Sequence, residues 1–128
     1  MSATPLARLQ SLLAMRWLVF LAWSALIACA VIGSVFSVLS PPEVYEADKL
    51  VHFSVYMLLA AFLPFLSSRR SYQLIGFVCL VAMGGGIEII QSFLPAREGS
   101  VFDFAADIAG LSLGWWAGYL LYTRLMRR

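Results

Sequence analysis

Asp48, Lys49, His52 and Tyr56 recur at intervals of one, three and four, a spacing that lines side chains along one face of a helix. Glu88 and Gln91 form a second stripe, and Asp103 and Asp107 form a third that continues to Gly110. The carboxylates and the chain's single histidine have the types needed for acid-base chemistry, with Glu88, His52 and Asp103 as catalytic candidates. Arg97, between the second and third stripes, suits the stabilisation of negative charge that develops in a reaction. A carboxylate-rich cluster with one histidine also has donors for Mg²⁺, Mn²⁺ or Ca²⁺. A lone histidine gives no ligand spacing, however, so no metal ligand set and no cofactor follow from the sequence.

The elements that carry these residues are hydrophobic. Of the 128 residues 62% are apolar and 12% charged, far more apolar surface than one small water-soluble core can hide. A helix needs about 20 apolar residues to cross about 30 Å of hydrocarbon. Four segments approach that length, at 17–39, 50–66, 72–94 and 104–121. The expectation is an all-α membrane protein, one domain over 1–128, built as a four-transmembrane-helix bundle. Pro64 falls near the end of the second segment, where a broken last turn does little harm. Ser2 or Thr4 followed by Pro5, then Leu6, Leu9, Leu12 and Leu13, predicts a short interfacial helix before the first span. Ala106, Gly110, Gly114 and Gly118 repeat every fourth residue and predict a close helix-packing seam. Gly84-Gly85-Gly86 reads as a loosened or kinked stretch or, the favoured reading, a further close contact, and Cys29 and Cys79, at different depths, as packing residues and not a disulfide.

Charge sets the orientation. Arg8, Arg16, Arg69, Arg70, Arg124, Arg127 and Arg128 fall on one side, whereas Lys49 and Arg97 fall on the other with all seven acids. Cytoplasmic loops carry the basic excess, so both termini are expected in the cytoplasm of a multi-pass protein of the cell (cytoplasmic or inner) membrane. The three polar stripes then lie within about 10 Å of the outer surface.

Each residue also has a plainer role. Asp48 suits the first turn of a helix, and Asp103 stands three residues after Ser100, a capping-box spacing. Lys49 and Arg97 can snorkel to the interface, Tyr56 can fill a gap, and His52 can be a hydrogen-bonded core histidine. No cap or interface explains Glu88, a carboxylate a turn or more below the surface, where charge costs up to about 2.5–3.5 kcal/mol at the bilayer centre. Polar groups from three helices at one depth point to a shared pocket open to the outside.

Asp48-Lys49-x-x-His52-Phe53-x-x-Tyr56-x-x-Leu59, Glu88-x-x-Gln91-x-Phe93-x-Pro95-x-Arg97 and Asp103-x-x-x-Asp107-x-x-Gly110-x-x-x-Gly114, in this order, resemble the pattern of VanZ-like membrane proteins. The resemblance runs from about Asp48 to Gly118, and it departs from the family at Asp107, where an acid replaces the usual Asn. It implies a setting at the cell envelope, since the family's namesake is linked to resistance to the lipoglycopeptide teicoplanin. It does not identify a reaction.

The favoured expectation is a site that binds or handles an outer-leaflet amphiphile, either a lipid-linked envelope precursor or a lipoglycopeptide. Its binding residues would be Asp48, Lys49, His52, Tyr56, Glu88, Gln91, Arg97, Asp103 and Asp107. The alternative is an enzyme acting on a lipid headgroup by carboxylate and histidine chemistry. Proton-coupled transport ranks last, because no protonatable residue continues through the inner half of any span. Membrane lipids are the expected partners and nucleic acid is not. The sequence sets no oligomeric state.

Overall fold

The computed structural model describes residues 5–36, 45–94 and 100–126, with side chains described for 15–34, 49–94 and 100–126. Among the described residues there are no strands, only four long helices and one short one: α1 (Pro5–Phe36), α2 (Tyr45–Ala61), α3 (Leu63–Leu66), α4 (Arg70–Gln91) and α5 (Val101–Met126). Met15–Ser34, Lys49–Leu66 and Arg70–Gln91 are long and apolar enough to cross a membrane. The helix surfaces are themselves apolar, with Leu18, Val78, Ile89 and Trp116 among many exposed large hydrophobic residues. Such a surface suits lipid and not water.

The sequence boundaries shift for identifiable reasons. The interfacial helix expected before the first span is not a separate element: Pro5–Phe36 is one 32-residue helix. Between Pro5 and Gly33 there is no glycine or proline, and Leu, Ala, Met, Arg and Gln all favour helix, so nothing breaks it. The second segment does break, at Phe62. Pro64 has no N–H for the carbonyl one turn back, and the chain restarts with Phe65 and Leu66 donating to the Phe62 carbonyl at 3.0 and 3.1 Å. The α4 helix closes in tight turns beyond Gln91, with Phe93 N–H on Ile90 O at 3.1 Å and Leu94 N–H on Gln91 O at 3.0 Å. Ser100 starts α5 earlier than expected, its hydroxyl accepting from the Asp103 N–H at 3.3 Å.

The most intimate packing is between α2 and α5. A Cβ placed on Gly110, Gly114 or Gly118 would stand 2.3, 2.0 or 2.3 Å from the backbone oxygens of Phe53, Met57 and Ala61. Only glycine permits this approach, so the predicted seam is present and its partner is α2. Tyr56, Leu59, Ala60, Leu63, Leu80 and Leu111 form the buried core. The α1 helix packs on it through half-buried Trp23, Leu26, Ile27 and Ala30. It is tied down by Trp23 Nε1–H donating to Leu59 O at 3.0 Å. Cys29 and Cys79 are free and exposed, not packed inside as expected, because their positions face away from this core.

The helices alternate in direction, and the two ends of the bundle differ. At one end Arg16 donates to Leu66 O at 3.4 Å, and Arg70 lies over the rings of Trp115 and Tyr119. Gln73 bridges there, accepting from Trp115 Nε1–H and donating to Ser67 O, each at 2.9 Å. At the other end lie Glu88, Asp103 and Asp107.

Candidate functional site

His52 stands two turns into α2, Glu88 one turn from the end of α4, and Asp107 two turns into α5. The α2 and α5 helices run parallel and α4 runs antiparallel to both, which brings these positions to one level. The α2–α5 seam fixes the closest pair, since Gly110 lies against Phe53, the residue after His52. His52 Nδ1 is 3.1 Å from Asp107 Oδ1 and 3.9 Å from Glu88 Oε1. The first distance is a hydrogen bond and the second is not. Asp107 is 1% exposed, His52 5% and the Glu88 side chain 11%, so these groups meet away from bulk solvent.

Glu88 does two jobs with its two oxygens. Oε2 accepts the Ser100 backbone N–H at 2.7 Å, at the start of α5. In a capping box that N–H belongs to the acid at the third helical position, here Asp103. Glu88 takes over the role from α4, and Asp103 is left buried with Oδ1 unpartnered. Glu88 Oε1, Asp107 Oδ2 and the Tyr56 hydroxyl are likewise buried without a hydrogen-bond partner among the described residues. Four such atoms in one place are unusual, since buried polar groups are nearly always satisfied.

Gly84 packs against the same group of atoms. A Cβ there would lie 2.8 Å from Asp107 Oδ2 and 3.3 Å from the Tyr56 oxygen. Of the Gly84-Gly85-Gly86 triplet, Gly85 meets only ordinary contact from Phe104, and Gly86 has nothing within 4 Å. The close contact expected of the triplet thus belongs to Gly84, and it lets the α4 backbone close directly on two orphaned oxygens. The sequence marked the triplet but not which glycine faced the acids.

The structure therefore brings His52, Tyr56, Glu88 and Asp107 together, with Asp103 near enough for its charge to act on both Glu88 and Asp107. Gln91 is turned elsewhere: its amide donates to Ser34 O of α1 at 2.9 Å. Lys49 Nζ stands 6.0 Å from the Phe102 ring centroid. The Asp48 side chain and Arg97 lie outside the described residues. Chemically, the cluster offers one imidazole and acceptor oxygens of three carboxylates. It can receive hydrogen-bond donors or a cation, or move a proton between His52 and the acids.

The profile of the VanZ/LLP1 family matches residues 5–123. The uncharacterized protein C11E3.10 of Schizosaccharomyces pombe is 38% identical over 84 residues, which cover 63% of this chain and 52% of that protein. The chain thus spans about half the length of this relative. No solved structure matches the chain. With nearly its whole length matched, the chain belongs to the VanZ/LLP1 family.

Proposed function

We propose that this member of the VanZ/LLP1 family receives the polar head of an envelope amphiphile in the His52–Glu88–Asp107 cluster, while the tail lies along the apolar helix surfaces. The observation that carries the reading is the set of buried oxygens left unpartnered where α2, α4 and α5 meet. A headgroup rich in hydroxyl, amide or amine donors would satisfy them. Lipid-linked precursors and lipoglycopeptides both have such heads, and family membership supports a role in glycopeptide resistance.

In this reading α5 also crosses the membrane, giving four spans in one domain. Its 26 residues reach about 39 Å at 1.5 Å each, and the glycine seam holds it against α2 from Gly110 to Gly118. The Arg-rich end faces the cytoplasm with both termini, and the acidic end opens to the outer leaflet. Lys49 belongs at the rim, and Gln91 braces the site by tying the end of α4 to Ser34 O of α1.

The test is lipid analysis of the purified full-length protein beside an Asp107→Ala variant, together with teicoplanin sensitivity of cells carrying each. An amphiphile retained by the first and lost by the second supports the reading. Absence of any retained amphiphile, with sensitivity and precursor levels unchanged in Glu88→Ala and Asp107→Ala, overturns it.

One observation favours a second reading, an enzyme on the same headgroup: the 3.1 Å His52–Asp107 contact is the geometry of an oriented acid-base pair. Glu88→Gln would then abolish turnover while sparing binding. Loss of binding and turnover together would exclude a purely chemical role for Glu88.

A further inference from the structure

The same cluster has a property that does not depend on an amphiphile. We propose that His52, Glu88 and Asp107 bind one divalent cation of the Mn²⁺ to Zn²⁺ range. Each residue comes from a different helix, and each offers a ligand atom, all three lying within 4.8 Å of one another.

Convergence alone does not make a site, because acids also cluster for other reasons. The second observation is the state of the oxygens. Asp107 is 1% exposed, and although Oδ1 meets His52, Oδ2 has no partner. Glu88 Oε1 faces His52 from 3.9 Å, beyond hydrogen-bond reach, and it too is unpartnered. The Tyr56 hydroxyl, on a residue 2% exposed, joins Asp107 Oδ2 beside Gly84, where a side chain would intrude. Uncompensated carboxylates in a low-dielectric interior are costly, whereas a bound dication offsets two of them.

The donor set selects the ion. Imidazole suits Zn and Fe, and carboxylate suits Mn, Mg and Ca, so one nitrogen with two carboxylates favours the overlap. An oxygen-only cation such as Ca²⁺ would leave the imidazole unused. Adjacent ligands on bonds of about 2.1 Å sit roughly 3–3.5 Å apart, so the Glu88 carboxylate draws in by about 1 Å on loading. Its other oxygen, held by Ser100 N–H at 2.7 Å, already orients the group, as an outer-shell partner should. A cation here would also let an anionic pocket accept a phosphate, which the bare carboxylates repel.

The experiment uses the full chain, purified in detergent without a histidine tag, stripped with EDTA and exposed to ZnCl₂ or MnCl₂ before desalting. Elemental analysis should find about one metal per chain, with affinity at least tenfold weaker in His52→Gln and in Asp107→Asn. Gly84→Val, which keeps every ligand but pushes on Asp107 Oδ2, 2.8 Å from the new Cβ, should weaken binding similarly. The metal should raise the melting temperature of the unaltered protein by several degrees, reversibly with EDTA, a readout that needs no variant to fold. Binding should fade as the pH is lowered, because protons compete for the imidazole and carboxylates. Far less than one metal per chain with no thermal shift overturns the proposal. So does undiminished binding in both ligand variants, or preference for Ca²⁺ or Mg²⁺. Because no amphiphile enters the assay, its failure is distinct from failure of the headgroup reading.

Discussion

Replacing Gly114 by alanine tests whether the α2–α5 seam holds the molecule and its site in register. The new Cβ would lie 2.0 Å from Met57 O, and 2.7 and 2.8 Å from the carbonyl carbon and Cα of the same residue. All three are backbone atoms, so no rotamer change relieves the contact. Separation to an ordinary C···O distance of about 3.3 Å moves the helices apart by about 1.3 Å. Forced overpacking of this kind costs about 1–3 kcal/mol. The same movement takes the 3.1 Å His52–Asp107 contact beyond hydrogen-bond length, losing about 1 kcal/mol more. Against this, alanine in a helix gains up to about 1 kcal/mol over glycine. The balance is a loss of about 1–3 kcal/mol, or roughly 5–10 °C in melting temperature. A Cβ on Gly33 or Gly86 would have nothing within 4 Å, so alanine there keeps the propensity gain without the clash. Thermal unfolding of Gly114→Ala, Gly33→Ala and Gly86→Ala in one detergent makes the comparison. A Gly114→Ala protein as stable as the other two would refute the seam as the organising contact.

Three other outcomes follow from the geometry. Glu88→Ala should lose about 1.5–3 kcal/mol through the Ser100 N–H bond at 2.7 Å, and Glu88→Gln distinctly less because an amide oxygen still accepts; equal melting of the two variants would contradict the cap. Gln73→Leu removes two bonds of 2.9 Å and should cost about 2 kcal/mol by thermal melting, and a neutral effect would show that this bridge contributes nothing. In a background with Cys29 and Cys79 replaced by alanine, Ser68→Cys should react with impermeant maleimide only from the cytoplasmic side and Ser100→Cys only from outside; the reverse pattern would overturn the proposed orientation.

Relative level along the helices and helix spacing were legible in the sequence, because both are one-dimensional. Counting residues from the hydrophobic boundaries placed His52, Glu88 and Asp107 at one level, and the four-residue glycine repeat marked α5 for close packing. Azimuth was less legible. Gln91 is three positions from Glu88, about 60° around the helix at 3.6 residues per turn, and that rotation is enough to aim it at Ser34 O of α1. The helper relation between Glu88 and Ser100 was hidden for a related reason. Ser100-x-x-Asp103 carries a local capping signature, and nothing local says that a carboxylate from another helix takes the N–H instead. Gly84 had no signal separating it from its two neighbours, since only tertiary placement decides which of the three faces Asp107.

The close approach of α2 and α5 and the chemistry of the acidic end share one cause. Gly110 follows Asp107 by three residues, and the backbone it touches is Phe53, next to His52. Whatever sets the 53–110 contact therefore also sets the separation of the imidazole and the carboxylate. The α4 helix is coupled to that pair through one residue, because Glu88 caps α5 with one oxygen and faces His52 with the other. A ligand that pulls on Glu88 Oε1 consequently pulls on the start of α5, whereas one bound only to Asp103 does not load α4. The opposite end lacks this arrangement: its ties are Arg16, Arg70 and Gln73, which hold carbonyls and rings and leave no cluster of buried acceptors among the described residues. On the proposed reading, exchange of ions or headgroups belongs at the acidic end, while the ties at the basic end hold the helices together.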